Sequence, residues 1–396
     1  VMCPSYMVTK NEKDSTRGRA NVLREVLTRT EKGQSAFNRK ELDEVMDLCL
    51  SCKGCSSECP SNVDMSTLKA EYLYQKYKET GIPFRAKMIA NISNFNKIGS
   101  FFPAFTNFFF SNPFFSSIIK STMGIAGQRS LPLIQGDLKK WFMVKRPEPA
   151  GKRVGKVLFF CDEFTRFNDV EIGKKAILLL TRLGYHVDIP DHSDSGRAAI
   201  SKGLLQKARQ VAEKNITLLG DIVSEDLPLI GVEPSAILGF RDEFPRLVRG
   251  NLKEKAERIK KHAYLLEEFI AREVEKGVIL PSSFTNDHAK IKLHGHCHQK
   301  ALSSQGISAL CLNLPPNYEV EVLPSGCCGM AGSFGYEKEH FDLSMKIGEL
   351  ILFPEIRKND KKVIIAASGT SCRHQILDGT NRLALHPAEI LYDALR

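Results

Sequence analysis

The run CLSCKGCSSECP, with thiols at Cys49, Cys52, Cys55 and Cys59 and Pro60 directly after the last, constrains this chain more than any other feature. Thiolates at C-x2-C-x2-C-x3-C-P spacing can wrap three corners of a 4Fe-4S cube, while the cysteine before proline usually ligates a second cluster. Cys49, Cys52 and Cys55 therefore need one further thiol. Cys3, in the only other Cys-Pro pair, is expected to supply it. Cys59 is left without partners, so its cluster is expected to draw on cysteines upstream of Val1, in a longer protein of which this chain is a fragment.

The remaining composition narrows the class. With 396 residues, 26% charged and 42% hydrophobic, the chain has room for two or three domains with substantial cores. No uncharged stretch is long enough to span a membrane, and VMCPSYM has neither the charged start nor the apolar middle of a signal peptide. A cytoplasmic protein is the expectation, with the inner face of the membrane as a further location. Eleven cysteines then argue for metal ligation over disulfides, because cytosolic thiols stay reduced. The net charge of +10 is spread through helical stretches with Glu nearby, and no basic run alternates with aromatics. Nucleic acid is not an expected partner.

Apolar residues at helix spacing, such as Leu23, Val26 and Leu27, then Leu42, Val45, Met46 and Cys49, predict an all-helical segment over 1–95. Ser15 or Thr16 is the expected cap of a helix carrying Arg17 to Arg29, and Ser66 or Asp64 of one running through Tyr72 to Lys78. Residues 96–150 contain FFPAFTNFFFSNPFF and end in the basic, proline-bearing stretch KRPEPAGKR. One reading makes this stretch an exposed element for a membrane surface, a quinone or a partner. The reading adopted is a connector of short helices, broken by prolines and buried between domains.

From Val154 apolar strand-like runs alternate with amphipathic helices, which predicts α/β layers with mainly parallel sheets. The pattern occurs twice, over 151–285 and 286–396. VGKVLFF runs into Cys161, YHVDIP leads to Asp194 and Ser195, and GVEPSAI follows; IKLHGH runs into Cys297, YEVEVLP leads to Cys327 and Cys328, and VIIAASGTS leads to Cys372. Ligands in open α/β sheets collect at the carboxyl ends of strands, so these four thiols can converge on a cluster or metal. Gly326, Gly329 and Gly332 would permit close backbone approach there. His294, His296 and His298 alternate along a predicted strand. A site joining them to Cys297 requires the strand to end near Gly295; His296 and His298 rank above His294 as ligands, and zinc is a rival to iron. His340 and His386 show no partner in sequence.

The series Cys297, Cys327-Cys328-Gly329, Cys372 resembles the CCG domain found in heterodisulfide reductase and in the iron–sulfur subunits of glycolate oxidase and anaerobic glycerol-3-phosphate dehydrogenase. The family pattern ends in C-x2-C, and here Gly369 replaces the first cysteine of that pair, so one thiol of the five-thiol noncubane arrangement is missing. The first copy keeps only Cys161, with Asp194-Ser195 and Ser235-Ala236 at the other positions, and reads as structural. MCPSYMVTKNEKDSTRGRAN, SGRAAISKGLL, EPSAILGFRDEFP, HGHCHQKAL and SGCCGMAGSFGYE further resemble the carboxy-terminal half of fused FAD-linked oxidases of the D-lactate or D-2-hydroxyglutarate dehydrogenase type.

The resemblance implies an α+β multidomain chain: a helical ferredoxin-like cluster domain followed by two duplicated CCG-type α/β units. It implies iron–sulfur electron transfer from an FAD-binding domain, on the same longer chain or on a partner protein, to a quinone or another redox protein. A noncubane cluster, iron or zinc would occupy the CCG-type site. The alternative is thiol–disulfide or zinc-dependent chemistry at that site, as in heterodisulfide reductase, and a third reading leaves its thiols structural.

Overall fold

The computed structural model describes residues 3–31, 35–149, 151 and 153–396; Val1, Met2, Ala150 and Lys152, which fall in stretches singled out above, lie outside them. The amino-terminal segment is built from helices Pro4–Thr9, Thr16–Arg29, Lys40–Asp47, Gly54–Glu58 and Met65–Thr80. Ser15 caps the second by accepting from the Gly18 N–H at 2.9 Å. Asp64 caps the last by accepting from the Ser66 and Thr67 N–H groups. Each cap satisfies amides that a helix start leaves open. Leu42, Val45 and Met46 point inward against Met65 and Tyr72, giving this segment its own small core.

Two four-stranded sheets follow, and every strand pair in them is parallel. The first contains β1 (Gly155–Phe159), β2 (Tyr185–Asp188), β3 (Leu229–Gly231) and β4 (Ala263–Leu265), in the order β2-β1-β3-β4. The second contains β5 (Ala289–His294), β6 (Tyr318–Val322), β7 (Ile364–Ala367) and β8 (Ala384–Leu385), in the matching order β6-β5-β7-β8. The duplicated pattern in the sequence thus corresponds to duplicated topology. Val157, Leu158 and Phe159 are buried in succession, as in a strand covered on both faces. Edge strand β6 instead alternates, and its Glu319 and Glu321 pair with Lys290 and Lys292 on β5. Charge on an edge discourages further strand pairing.

One core runs through both units. Phe159, Leu180 and Phe269 from the first pack in the same apolar cluster as Leu293, Leu312 and Leu391 from the second. The carboxyl ends of β3, β5 and β7 meet side chains of the opposite unit, through Glu233 with Thr370 and His296 and through Ser368 with Glu267, and there the site is built.

The Phe-rich stretch departs from the sequence expectation. Pro103 and Pro113 begin helices Pro103–Ser111 and Pro113–Met123 rather than breaking them, since the first helical position needs no N–H. The helices pack on each other through Phe108, Phe109 and Phe115. Among the described residues nothing covers their outer face: Phe102 is 75% exposed, Phe105 66% and Phe114 69%. Burial between domains is therefore wrong for this face, because the ring contacts are satisfied within the helix pair.

Candidate metal centres

Residues 49–55 form a tight loop in which Ser51 and Lys53 both take left-handed backbone angles, φ 52° and 62°. Such angles are uncommon for side chains other than glycine, and two so close together turn the chain back on itself between the cysteines. Burial pushes the Cys52 thiol well up, and the charges of Cys297, Cys49 and Cys3 push the same way. Burial also raises Cys55, with Cys49 adding to it. Cys3, Cys49, Cys52 and Cys55 are thus electrostatic neighbours. Donors surround them: the buried Arg19 guanidinium donates to Cys3 Sγ at 3.0 Å, and the Met65 N–H donates to Cys55 Sγ at 3.4 Å. Four thiols brought together, two of them pushed up by burial, with N–H groups aimed at sulfur, suit a cationic iron core.

Cys59 stands apart. The backbone N–H groups of Val63 and Ser61 hold its thiol below the ordinary value, and no cysteine among the described residues contributes to that shift.

The second constellation lies beyond the strand ends. β5 stops at His294, and His296 caps helix Cys297–Leu302, so the strand ends where a joint histidine and cysteine site needs it to. Cys327 interacts electrostatically with Cys297 and Cys328, and Cys328 in turn with Cys372 and His294. These contacts push Cys327 up and Cys328 well down. Gly329, at φ 94°, directs its N–H to Cys327 Sγ at 3.4 Å, and a Cβ on it would lie 2.2 Å from the Ser344 carbonyl. Only glycine fits that turn.

His294, Cys328 and Cys372 place their ligand atoms within 4.8 Å of one another. The structure therefore brings His294, ranked last from sequence, to the thiols. Its Nδ1 pairs with Ser325 Oγ at 2.7 Å, while the buried Nε2 has no hydrogen-bond partner. His296 Nε2 lies 3.8 Å from Glu233, and His298 Nε2 donates to the Ser51 carbonyl at 3.3 Å. At Gly369, where the family pattern has a cysteine, a Cβ would fall 2.3 Å from the His296 ring. The imidazole fills the space of the absent side chain.

The two constellations adjoin. Leu50, Cys52, Cys297, Cys327 and Phe334 share one apolar cluster. Several residues that hold this arrangement carry no local sequence signal. Lys53, only 1% exposed, pairs with Asp242 at 2.6 Å, Glu243 at 3.1 Å and Asp64 at 3.4 Å, fixing the loop of cysteines to the first α/β unit. Burial pushes Glu243 up, but Arg197 and Lys53 outweigh it and hold the carboxyl at about 2. Glu233, beyond β3, accepts from the Thr370 N–H at 2.8 Å and so steadies the helix start that carries Cys372. His340 pairs with Asp47 at 2.9 Å and Glu337 at 3.1 Å, and His386 caps the last helix; both thus have partners that the sequence hid. Glu337, Glu339 and His340 also cluster, but Lys202 and Arg85 already neutralise the carboxylates.

At the strand ends of the first unit, Cys161 is accompanied by buried carboxylates. Burial, followed by Glu163 and Glu233, pushes Asp162 well up; burial, followed by Asp194, pushes Glu163 up. Ser195 donates to Glu163 at 2.7 Å. No other thiol joins them among the described residues.

The amino-terminal cysteine spacing on its helical support defines a domain of the iron–sulfur electron-transfer class. A family model described as a 4Fe-4S dicluster domain matches residues 1–64. The whole chain is similar to D-2-hydroxyglutarate dehydrogenase of Pantoea ananatis, 25% identical over 440 aligned positions, and to that of Escherichia coli, 25% over 443. It covers 42% of each of those proteins, less than half their length. The C-type subunit of anaerobic glycerol-3-phosphate dehydrogenase of Escherichia coli is 27% identical over 281 positions, covering 70% of this chain and 69% of the relative. Residues 1–64 thus match an iron–sulfur domain, in a chain that is similar along its length to part of these dehydrogenases.

Proposed function

We propose that the chain carries electrons from an FAD-binding domain, oxidising a D-2-hydroxy acid of the D-lactate, glycolate or D-2-hydroxyglutarate class, towards an acceptor. The observation that carries this reading is the adjacency of Cys52, in the amino-terminal thiol group, to Cys297, in the second. A cubane cluster held by Cys3, Cys49, Cys52 and Cys55 would supply one-electron chemistry. Cys59 belongs to a different cluster. The hydroxy-acid chemistry belongs to the flavin, so the chain alone should not turn over hydroxy acids. Mixed anaerobically with a reduced D-2-hydroxy acid flavoprotein, the cluster-loaded chain should bleach in the visible. Hydroxy-acid oxidation by the chain without flavoprotein would contradict the proposal.

The second constellation fits one metal ion better than a five-thiol cluster. A tetrahedral zinc site with Zn–S of about 2.3 Å sets its sulfurs about 3.8 Å apart, a spacing served by ligand atoms already gathered within 4.8 Å. His294 Nε2, Cys328 and Cys372 would bind it, with Cys297 and Cys327 beside them and Ser325 orienting the imidazole, as partners behind metal-bound histidines do. His296 fills the fifth thiol's place. Elemental analysis should find one zinc or iron that His294→Ala removes; several irons lost together with sulfide would restore the noncubane reading.

A further inference from the structure

The exposed aromatic face found at residues 98–118 is independent of both metal centres. We propose that helices Pro103–Ser111 and Pro113–Met123 are a docking surface for an anionic phospholipid bilayer, lying along its headgroup region.

The apolar side chains form a continuous face. Phe105, Phe109, Phe108, Phe115 and Phe114 make successive ring contacts with centroids 4.7 to 6.0 Å apart, and Ile98, Phe102 and Ile118 extend the exposed surface. Contiguous apolar patches on soluble proteins mark interaction sites.

Charge selects the occupant. From Thr80 to Gly136 the sequence contains no Asp or Glu, while Arg85, Lys87, Lys97, Lys120 and Arg129 fall within it. Exposed Lys97, Lys140, Lys145 and Arg146 lie on the helices flanking the pair or at their ends, and Lys140 stands over the Phe101 ring at 4.5 Å. The helix pair itself carries no acidic residue and has exposed lysines beside it, which matches the negative surface potential of an anionic leaflet, while Glu337, Glu339 and Asp378 near the return segment are paired with Arg85, Lys202 and Arg129. Protein interfaces instead carry a mixed polar rim. No helix among the described residues is long and apolar enough to cross a membrane, so the contact is interfacial.

The return segment ties this face to the metal-site unit. Ile125 bridges Glu337, Ala126 N–H donates to the Tyr336 carbonyl at 2.8 Å, and Lys338 N–H donates to the Gly124 carbonyl at 2.9 Å. Buried Arg129 donates to the Gly335 carbonyl and Ser344 and pairs with Asp378. Docking would therefore tether the segment that follows Cys327 and Cys328 to the membrane-bound helices.

The test is flotation of the full chain with vesicles of phosphatidylglycerol and phosphatidylethanolamine, alongside vesicles of phosphatidylcholine alone. The chain should float with the first and not the second. The triple variant Phe102→Ser, Phe105→Ser, Phe114→Ser, whose side chains are exposed, should lose roughly tenfold or more of that binding while keeping its iron content and far-UV spectrum. Lys97→Glu with Lys140→Glu should lose it while retaining all the aromatics. Absence of flotation, or flotation undiminished in both variants, would overturn the proposal. So would a dimer, or a complex with the flavoprotein, that the triple variant breaks apart, since either would show a protein covering this face.

Discussion

The two α/β units share strand order and a common core but place different chemistry at the same strand ends. After β5, β6 and β7 come Cys297, Cys327-Cys328 and Cys372; after β1, β2 and β3 come Cys161-Asp162, Asp194-Ser195 and Glu233. In the first unit Glu233, and Asp169 earlier in the chain, serve the second. Glu233 accepts from Thr370 and approaches His296, while Asp169 pairs with Arg373 at 2.6 Å. A duplicated unit with a single thiol, Cys161, at its strand ends clamps the one that gathers four. Carboxylates suit that task because they accept backbone and cationic hydrogen bonds and remain costly to bury without them.

The comparison breaks most sharply at the cysteines. Exchanging Cys328 for Ser should remove the metal bound in the second unit, whereas Cys161→Ser should leave metal content unchanged, as elemental analysis of both variants would show. Equal loss would mean that the first unit also binds metal. Next in size is Lys53→Met, which leaves Asp64, Asp242 and Glu243 without their shared cation. Breaking a buried ion network in this way costs about 3–5 kcal/mol, and anaerobic urea unfolding should record a destabilisation on that scale.

A subtler contrast lies at Glu233. Glu233→Ala should lower metal affinity in the second unit by roughly 10- to 100-fold, the usual effect of losing a partner behind the ligands. Chelator competition would read this, and Ser235→Ala, in the same loop but directed at Glu233 alone, should do less.

The smallest effect is that of pH. Burial pushes His340 down, but Asp47 and Glu337 outweigh it, so its folded pKa is raised. The stability this gives is fully present below the unfolded value near 6.5 and is lost as pH rises through the higher folded value. Unfolding curves should show a loss of under about 1 kcal/mol across that window, absent in His340→Asn.

What the sequence disclosed followed the range of each interaction. Helix caps at Ser15 and Asp64 act over two or three residues, and the strands carry their own apolar runs, so both were legible. The cysteine spacings were legible for the same reason. Lys53 and Asp242 are separated by 189 positions, and His340 and Asp47 by 293; no local pattern links them. Strand alternation sets His294, His296 and His298 alike opposite Cys297, and nothing local tells that the thiols near His294 are Cys328 and Cys372, beyond other strands. The aromatic run was legible as apolar but not as exposed, since composition does not reveal whether two helices satisfy their rings on each other.

The central claim is that the amino-terminal thiols hold a redox cluster beside the second centre. Paramagnetic resonance of the anaerobically reconstituted, reduced chain tests it most directly. The wild-type chain should give a reduced 4Fe-4S signal that Cys52→Ala with Cys55→Ala abolishes and Cys59→Ala retains. An unchanged signal in the Cys52 and Cys55 variant, or its loss with Cys59 alone, would contradict the assignment.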